Sequence, residues 1–146
     1  MKTSKKGIDL IKEFEGFSAG PYSCPAGIPT IGYGSTFYPD GKRVTMDDAP
    51  ISEEEAEKML SKVIQVFEDI VNKKLTVPVN QNQFDALVSH TYNTGGSSNL
   101  FALVNKGKME EAEDFIRTRY ITVKGQRMKG LIKRRSAEAD LFLSEI

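Results

Sequence analysis

The stretch from Ser52 to Lys74, SEEEAEKMLSKVIQVFEDIVNKK, constrains the fold more than any other part of the chain. Ser52 with Glu55 three residues on is a capping-box pattern, in which the serine side chain accepts a bond from an otherwise orphaned backbone N–H. Ala56, Met59, Leu60, Val63, Ile64, Phe67, Ile70 and Val71 then recur at intervals of three and four, which marks one face of a helix of about five turns. Lys73 and Lys74 suit the negative end of its dipole. A helix with a single apolar face has to bury it, so the flanking segments must supply the packing.

Those flanks differ in character. On the N-terminal side Ser4 is placed as an N-cap, Ile8, Ile11, Phe14 and Glu15 follow at helical spacing, and Gly16 ends the element. Residues 17–46 replace that period with Gly, Pro, Tyr and Thr. The turn signals PAGIP and YPDGK, set between short β-prone runs, predict a small antiparallel sheet. On the C-terminal side Val77-Pro78 breaks the chain, and helices are expected over 80–94, 98–106, 109–120 and 131–145. Gly95-Gly96 closes the first of these and Gly107 the second. YITVKGQRMKG reads as a basic, glycine-punctuated loop. The expectation is one α+β domain, mainly α, over 1–146. It has a helix-and-sheet lobe at 1–50, a connecting helix at 52–74 and a helical lobe at 78–146. Two lobes on one connecting helix predict a cleft suited to an extended ligand.

Charge and cysteine content narrow the function. The 146 residues carry 20 Lys/Arg and 20 Asp/Glu, so no global field points to nucleic acid. The balance is uneven: residues 1–60 hold 7 basic against 10 acidic, and residues 61–146 hold 13 against 10. From Arg117 to Arg135 there are eight basic residues and no acid. That run is either a solvated face or a surface that meets an anionic polymer. A single cysteine excludes an internal disulfide. The basic N-terminus lacks the apolar run of a signal peptide, and no stretch approaches a membrane span.

Glu15 is the first candidate for chemistry. On a helical wheel it falls between Ile8 and Ile11 on the apolar face, whereas Glu13 lies well away. Desolvation and the negative end of the helix dipole both disfavour an anion at such a position, which suits a general acid. The competing reading is a glutamate that reaches out to solvent at a helix end.

Glu15, eight residues, Cys24, five residues, Thr30, then TIGYG: this spacing resembles the catalytic pattern of the bacteriophage lysozymes, glycoside hydrolase family 24. That family reads Glu-x8-Asp-x5-Thr followed by Thr-Ile-Gly-x-Gly, and some members carry Cys in place of the Asp. VNQNQFDALVSHTYNTG, from Val79 to Gly95, is similar to the family's Asn-Gln-x-x-Asp-Ala-Leu helix with its aromatic-Asn-x-Gly turn. GLIKRRSAEADLFL, from Gly130 to Leu143, is similar to its Gly-Leu-x-x-Arg-Arg-x-x-Glu closing helix. Each motif alone is weak, but together, in the family's order, they cover nearly the whole chain.

The resemblance implies hydrolysis of the β-1,4 bond between N-acetylmuramic acid and N-acetylglucosamine in peptidoglycan. Glu15 would protonate the leaving oxygen, and Cys24 with Thr30 would orient water on the opposite face of the sugar. Such an inverting geometry needs its two groups about 6.5–9.5 Å apart. A thiol accepts a proton only as thiolate, so Cys24 needs a lowered pKa or contributes less than an Asp would. The structural alternative is a small, half-buried cysteine without a chemical role. Thr36, Tyr92 and Asn93 match positions that line the sugar cleft in the family, and Arg134 or Arg135 is a candidate partner for Glu15. Ser35 stands where the family usually has His, which bears on local packing more than on catalysis. The lone histidine, His90, reads as a packed side chain rather than a catalytic one. Ser97-Ser98 has no base nearby in sequence, and one His with one Cys offers no zinc site. No cofactor is expected.

The implied protein is a phage or prophage endolysin: a monomer that accumulates in the host cytoplasm, is released by a holin-type partner and acts on the wall. No nucleic-acid partner and no stable membrane insertion are expected. Two other readings stay open. One is a lytic transglycosylase, which needs only the acid. The other is a degenerate lysozyme domain that binds peptidoglycan or a protein without cutting.

Overall fold

The computed structural model describes residues 1–24 and 26–144. Pro25, within the PAGIP turn, and residues 145–146, at the end of the last expected helix, lie outside the described residues. Among the described residues there are six helices and two small two-stranded antiparallel sheets, so the α+β, mainly helical expectation holds. The chain divides into two compact units, Ile11–Val66 and Met1–Leu10 with Phe67–Ile146. Helices α1 (Lys5–Glu15) and α2 (Glu53–Lys74) each begin in one unit and end in the other.

Within Ile11–Val66, α1 ends at Glu15, where Gly16 takes φ +70° and donates its N–H to the Lys12 carbonyl at 2.9 Å. Strand β1 (Ser18–Ser23) pairs antiparallel with β2 (Pro29–Gly32), with Tyr22 opposite Thr30 and Ser23 opposite Pro29. The register shifts between Ser18 and Tyr22, where Gly20 and Pro21 interrupt the strand. Proline cannot donate to the ladder, and both residues are usual at such irregularities. The YPDGK turn forms as expected: Gly41 donates to the Tyr38 carbonyl, and Tyr38 to that of Lys42, each at 2.9 Å. Beneath the sheet Ile31, Val44 and Met59 are buried together, with Tyr38 and Ile51 packed against them. Ala56, Met59, Leu60 and Ile64 of α2 are all buried, as its apolar period predicts. Ser52 accepts from the Glu55 N–H at 3.1 Å and starts that helix.

In the other unit, α3 (Gln81–Thr94) carries the capping box at its start. The Asn80 side chain accepts from the Gln83 N–H and the Gln83 side chain accepts from the Asn80 N–H. Nine of its fourteen residues are buried, from Asn82 and Phe84 to Thr91, so this is the unit's central helix. Helix α6 (Lys129–Leu143) packs on it, α5 (Met109–Thr118) packs on α6 and α4 (Ser98–Asn105) on α5, and they contribute Leu100, Val104, Ala112, Ile116, Ala139 and Phe142 to the core.

The expected loop between the last two helices is instead a hairpin, β3 (Thr122–Val123) with β4 (Gln126–Arg127). Its two-residue connection, Lys124-Gly125, has both residues at positive φ, +51° and +80°. That is the turn whose twist matches paired strands, and a lysine at its first position hides it from a reading that looks for Asn-Gly or Asp-Gly. Helix α5 stops at Thr118 rather than 120 because Arg119 is extended and Tyr120 is left-handed, φ +57°. Helix α6 starts at Lys129 rather than 131, since the Met128 carbonyl already accepts from the Ile132 N–H at 2.9 Å.

Ser4 stands at the start of α1 as expected, its carbonyl accepting from the Ile8 N–H. Its hydroxyl, however, donates to Asp85 rather than capping its own helix. Asp85 is fully buried and also accepts from the Ser4 N–H at 3.0 Å and from Gln81 at 2.8 Å. Gly7 makes room for it: a Cβ there would lie 2.8 Å from the Asp85 Cβ. Gln81 also donates to the Lys2 carbonyl, and Thr3 donates its N–H to Glu68. These bonds place residues 1–10 with the C-terminal helices. Asp85→Asn turns one acceptor into a donor beside the Ser4 hydroxyl, at a cost of about 1 kcal/mol. Urea unfolding should show that loss, with faster amide exchange at Thr3 and Ser4.

Candidate active site

Glu15, Cys24 and Thr30 all lie in the Ile11–Val66 unit, and local geometry explains how each is held. Glu15 is the last residue of α1 and is half-buried. Its carboxylate lies against the backbone of Gly34, the last glycine of TIGYG. A Cβ at that position would stand 2.6 Å from Glu15 Oε1 and 3.2 Å from its Cδ. Gly34 also has φ +81°, where a side chain is disfavoured. The glycine is therefore required twice, for its backbone and for the space it leaves the carboxylate.

Cys24 is a free, half-buried thiol just after β1, in a tight reversal. Gly27 donates to the Cys24 carbonyl at 2.8 Å, and Cys24 donates its N–H to the Ile28 carbonyl at 3.1 Å. The sulfur is held below the ordinary thiol pKa, first by a hydrogen bond from the Ile28 backbone. Bonds from the Ala26 backbone and the Thr30 hydroxyl add to it, while partial desolvation opposes them. Backbone donors aimed at one sulfur stabilise its anion.

Thr30 is buried in β2. Its hydroxyl has one proton and two acceptors within reach, the Ile28 carbonyl at 2.9 Å and the Cys24 sulfur. The carbonyl bond is the one with defined hydrogen-bond geometry. On ionisation the hydroxyl rotor can turn to the sulfur, since its hydrogen is free to rotate. Either way the threonine oxygen keeps lone pairs for a water molecule.

Tyr22 and Gly34 are the residues a reading of the motif misses. Tyr22 sits opposite Thr30 across the strand pair. Its phenol pKa is raised, first by burial and then by the negative charges of Glu15 and Cys24. That response places both acidic groups within electrostatic range of one ring. A signal was available in the sequence: Tyr22 lies two residues before Cys24, the spacing of one face of a strand. For Gly34 the signal was the glycine itself.

The other expected residues fall as follows. Thr36 is half-buried, and its carbonyl accepts from the Val44 N–H at 2.9 Å. Ser35, in the place of the family's usual His, is buried and bridges Ile31 by two backbone bonds of 2.9 Å. The local packing is thus kept by the main chain, while the Ser35 hydroxyl has no hydrogen-bond partner among the described residues. Tyr92 packs its ring on Phe67, centroids 5.1 Å apart. Asn93 accepts from the Arg135 guanidinium through its amide oxygen. Arg134 and Arg135 are both buried, and each lies 3.3 Å from Glu138. Arg134 also donates to the Ser89 carbonyl.

His90 is fully buried and edge-on to Tyr120. Burial, with the positive fields of Arg135 and Arg134, pushes its pKa down to about 3, so the imidazole is neutral at working pH. That fits the packed histidine expected. No cluster of three or more His, Cys, Asp or Glu side chains suited to a metal occurs among the described residues.

The Gly34 contact yields a prediction. Gly34→Ala should displace the Glu15 carboxylate and lower kcat several-fold with little change in KM. The left-handed backbone adds a stability loss of about 1 kcal/mol. Steady-state kinetics beside urea unfolding would separate the two effects.

Comparison with known proteins identifies relatives of the chain. The family described as phage lysozyme matches residues 12–138. The chain is 37% identical to an endolysin of Acyrthosiphon pisum secondary endosymbiont phage 1, covering 99% of both proteins. It is 40% identical to an endolysin of Bacillus phage B103 over 99% of its own length but only 55% of that relative's, so it spans about half of that longer protein. Among solved structures, an endolysin from Escherichia coli O157:H7 phage FAHEc1 superposes with a TM-score of 0.87 at 39% identity, covering 100% of this chain and 96% of that one. By motif order, fold and these matches, the chain belongs to the phage lysozyme family.

Proposed function

We propose that the protein is an endolysin that hydrolyses peptidoglycan as a muramidase, at the β-1,4 bond between N-acetylmuramic acid and N-acetylglucosamine. The observation that carries this reading is the environment of Cys24: a thiol whose anion is favoured by backbone donors, beside a threonine hydroxyl, at the position of the family's second acid.

In this mechanism Glu15 gives its proton to the glycosidic oxygen as the bond to the anomeric carbon breaks. Water attacks that carbon from the opposite face, and its proton passes to the Cys24 thiolate while the Thr30 oxygen holds it in line. The proton on Cys24 returns to Glu15 through solvent, closing the cycle with inversion. Thr36, Tyr92 and Asn93 are assigned to sugar contacts, the ring for stacking and the amide for acetamido groups. Release to the wall is assigned to a holin-type partner; no described helix is long and apolar enough to cross a membrane.

A turbidity assay on permeabilised Gram-negative cells, followed by mass analysis of the released muropeptides, tests the proposal. Lysis with reducing-end muropeptides is expected. Products with a 1,6-anhydro end would replace hydrolysis by transglycosylation, and wall binding without cleavage would leave a non-catalytic domain.

A further inference from the structure

We propose that the β3–β4 hairpin is a peripheral docking surface for an anionic phospholipid bilayer. The inference rests on charge and on an apolar stripe, and does not depend on the hydrolase reading.

From Phe115 to Ala137 there are eight basic residues and no acid. The structure pairs three of them with acids, and Arg119 also lies over the Phe115 ring at 5.7 Å. Arg117 pairs with Glu113 at 2.6 Å and Asp140 at 2.9 Å, while Arg134 and Arg135 meet the buried Glu138. The other five, Arg119, Lys124, Arg127, Lys129 and Lys133, are exposed and form no ion pair among the described residues. They occupy the hairpin and its two roots.

The hairpin is two-faced. Thr122 pairs with Arg127 and Val123 with Gln126, and the Met128 N–H donates to the Ile121 carbonyl at 2.9 Å, which extends the ladder by one pair. Alternation therefore puts Ile121, Val123, Gln126 and Met128 on one face, and Thr122 with Arg127 on the other. The first face carries three apolar side chains beside Gln126, and two of them are open to water: Val123 is 38% and Met128 43% exposed. Lys124 stands at the tip. Tyr120, 45% exposed, closes the root, an amphipathic ring of the kind that favours a membrane interface.

Charge alone would suit an anionic wall polymer equally well. The apolar stripe decides between the two. A hydrated anionic polymer such as a polyphosphate leaves the valine and methionine side chains in water. A bilayer takes both features: hydrocarbon enters below the headgroups while long lysine and arginine stems carry their charges back to the phosphates. The attachment is peripheral, since the ordered ladder is short and no described helix can span.

The test uses the whole protein and sedimented vesicles, one set of pure phosphatidylcholine and one with half phosphatidylglycerol. Binding to the anionic set alone, weakened by salt, is expected. Lys124→Gln with Arg127→Gln should lower partitioning at least tenfold, and Val123→Ser with Met128→Ser at least several-fold. All four sites are exposed, so the fold is kept. The chain has no tryptophan, so Val123→Trp adds a single reporter whose emission should shift to the blue on anionic vesicles only. No retention by anionic vesicles overturns the proposal. So does full retention by the serine pair or an unshifted Trp, either of which would leave a charge-only face for a wall polymer.

Discussion

Glu15→Gln should lose at least about 100-fold in turnover while folding and binding to the wall persist. Glutamine keeps the size and the half-buried place at the end of α1 but has no proton to give the leaving oxygen. The amide would still fit beside Gly34, because the space there is set by the main chain. The measurement is turbidity clearance by the variant beside a sedimentation assay for retention on purified sacculi. Lysis near the wild-type rate would remove Glu15 from the acid role and turn attention to Glu13, which is exposed on the same helix. Loss of both lysis and retention would mean that the substitution had disturbed the fold.

Much of this could be read before any coordinates, for physical reasons that differ between elements. Helix α2 was legible because its capping serine, its apolar period and its terminal lysines agree at every level. Helix α3 was legible from its motif, although nine of its residues are buried and its polar ones do not mark a solvent face. Asp85 shows why: it is buried because it ties down Ser4, a residue 81 positions away, and no local pattern announces such a bond. The hairpin after α5 was missed for the opposite reason. Two-residue strands carry no measurable alternation, and Lys124 takes a backbone angle that sequence rules reserve for Asn, Asp or Gly.

The candidate site divides in the same way. The candidates Glu15, Cys24 and Thr30 stood out by spacing, because the family's motif ties residue types to fixed positions in a helix-turn-strand path. The groups that adjust them were not. The backbone donors of Ala26 and Ile28 have no side-chain identity to read, and Gly34 works by what it lacks. Tyr22 feels both acidic groups only because β1 reverses into β2 and sets it across from Thr30.

The largest open effect concerns Cys24, whose pKa is lowered by the Ile28 and Ala26 backbone and the Thr30 hydroxyl. A base acts only when deprotonated, so activity should rise with pH, and the lowered pKa places that rise earlier than an ordinary thiol would. Methyl-thiolating reagents should inactivate the protein's lytic activity, and substrate should protect it. Cys24→Ser should lose at least tenfold in kcat near neutral pH and lose the rising limb, since a serine hydroxyl does not ionise in this range. Cys24→Asp should keep or gain activity and move the limb towards pH 4, where an unperturbed aspartate ionises. The competing account gives the water to Thr30 and Glu15 and leaves the sulfur as filler. It requires Cys24→Ser to be nearly neutral and Thr30→Ala to be the damaging change. Rates for these variants across pH 5–9 decide between them, and full activity in Cys24→Ser would end the thiolate role. The thiolate account further requires Thr30→Ala to shift the limb upwards, because removing one donor to the sulfur leaves its anion less favoured.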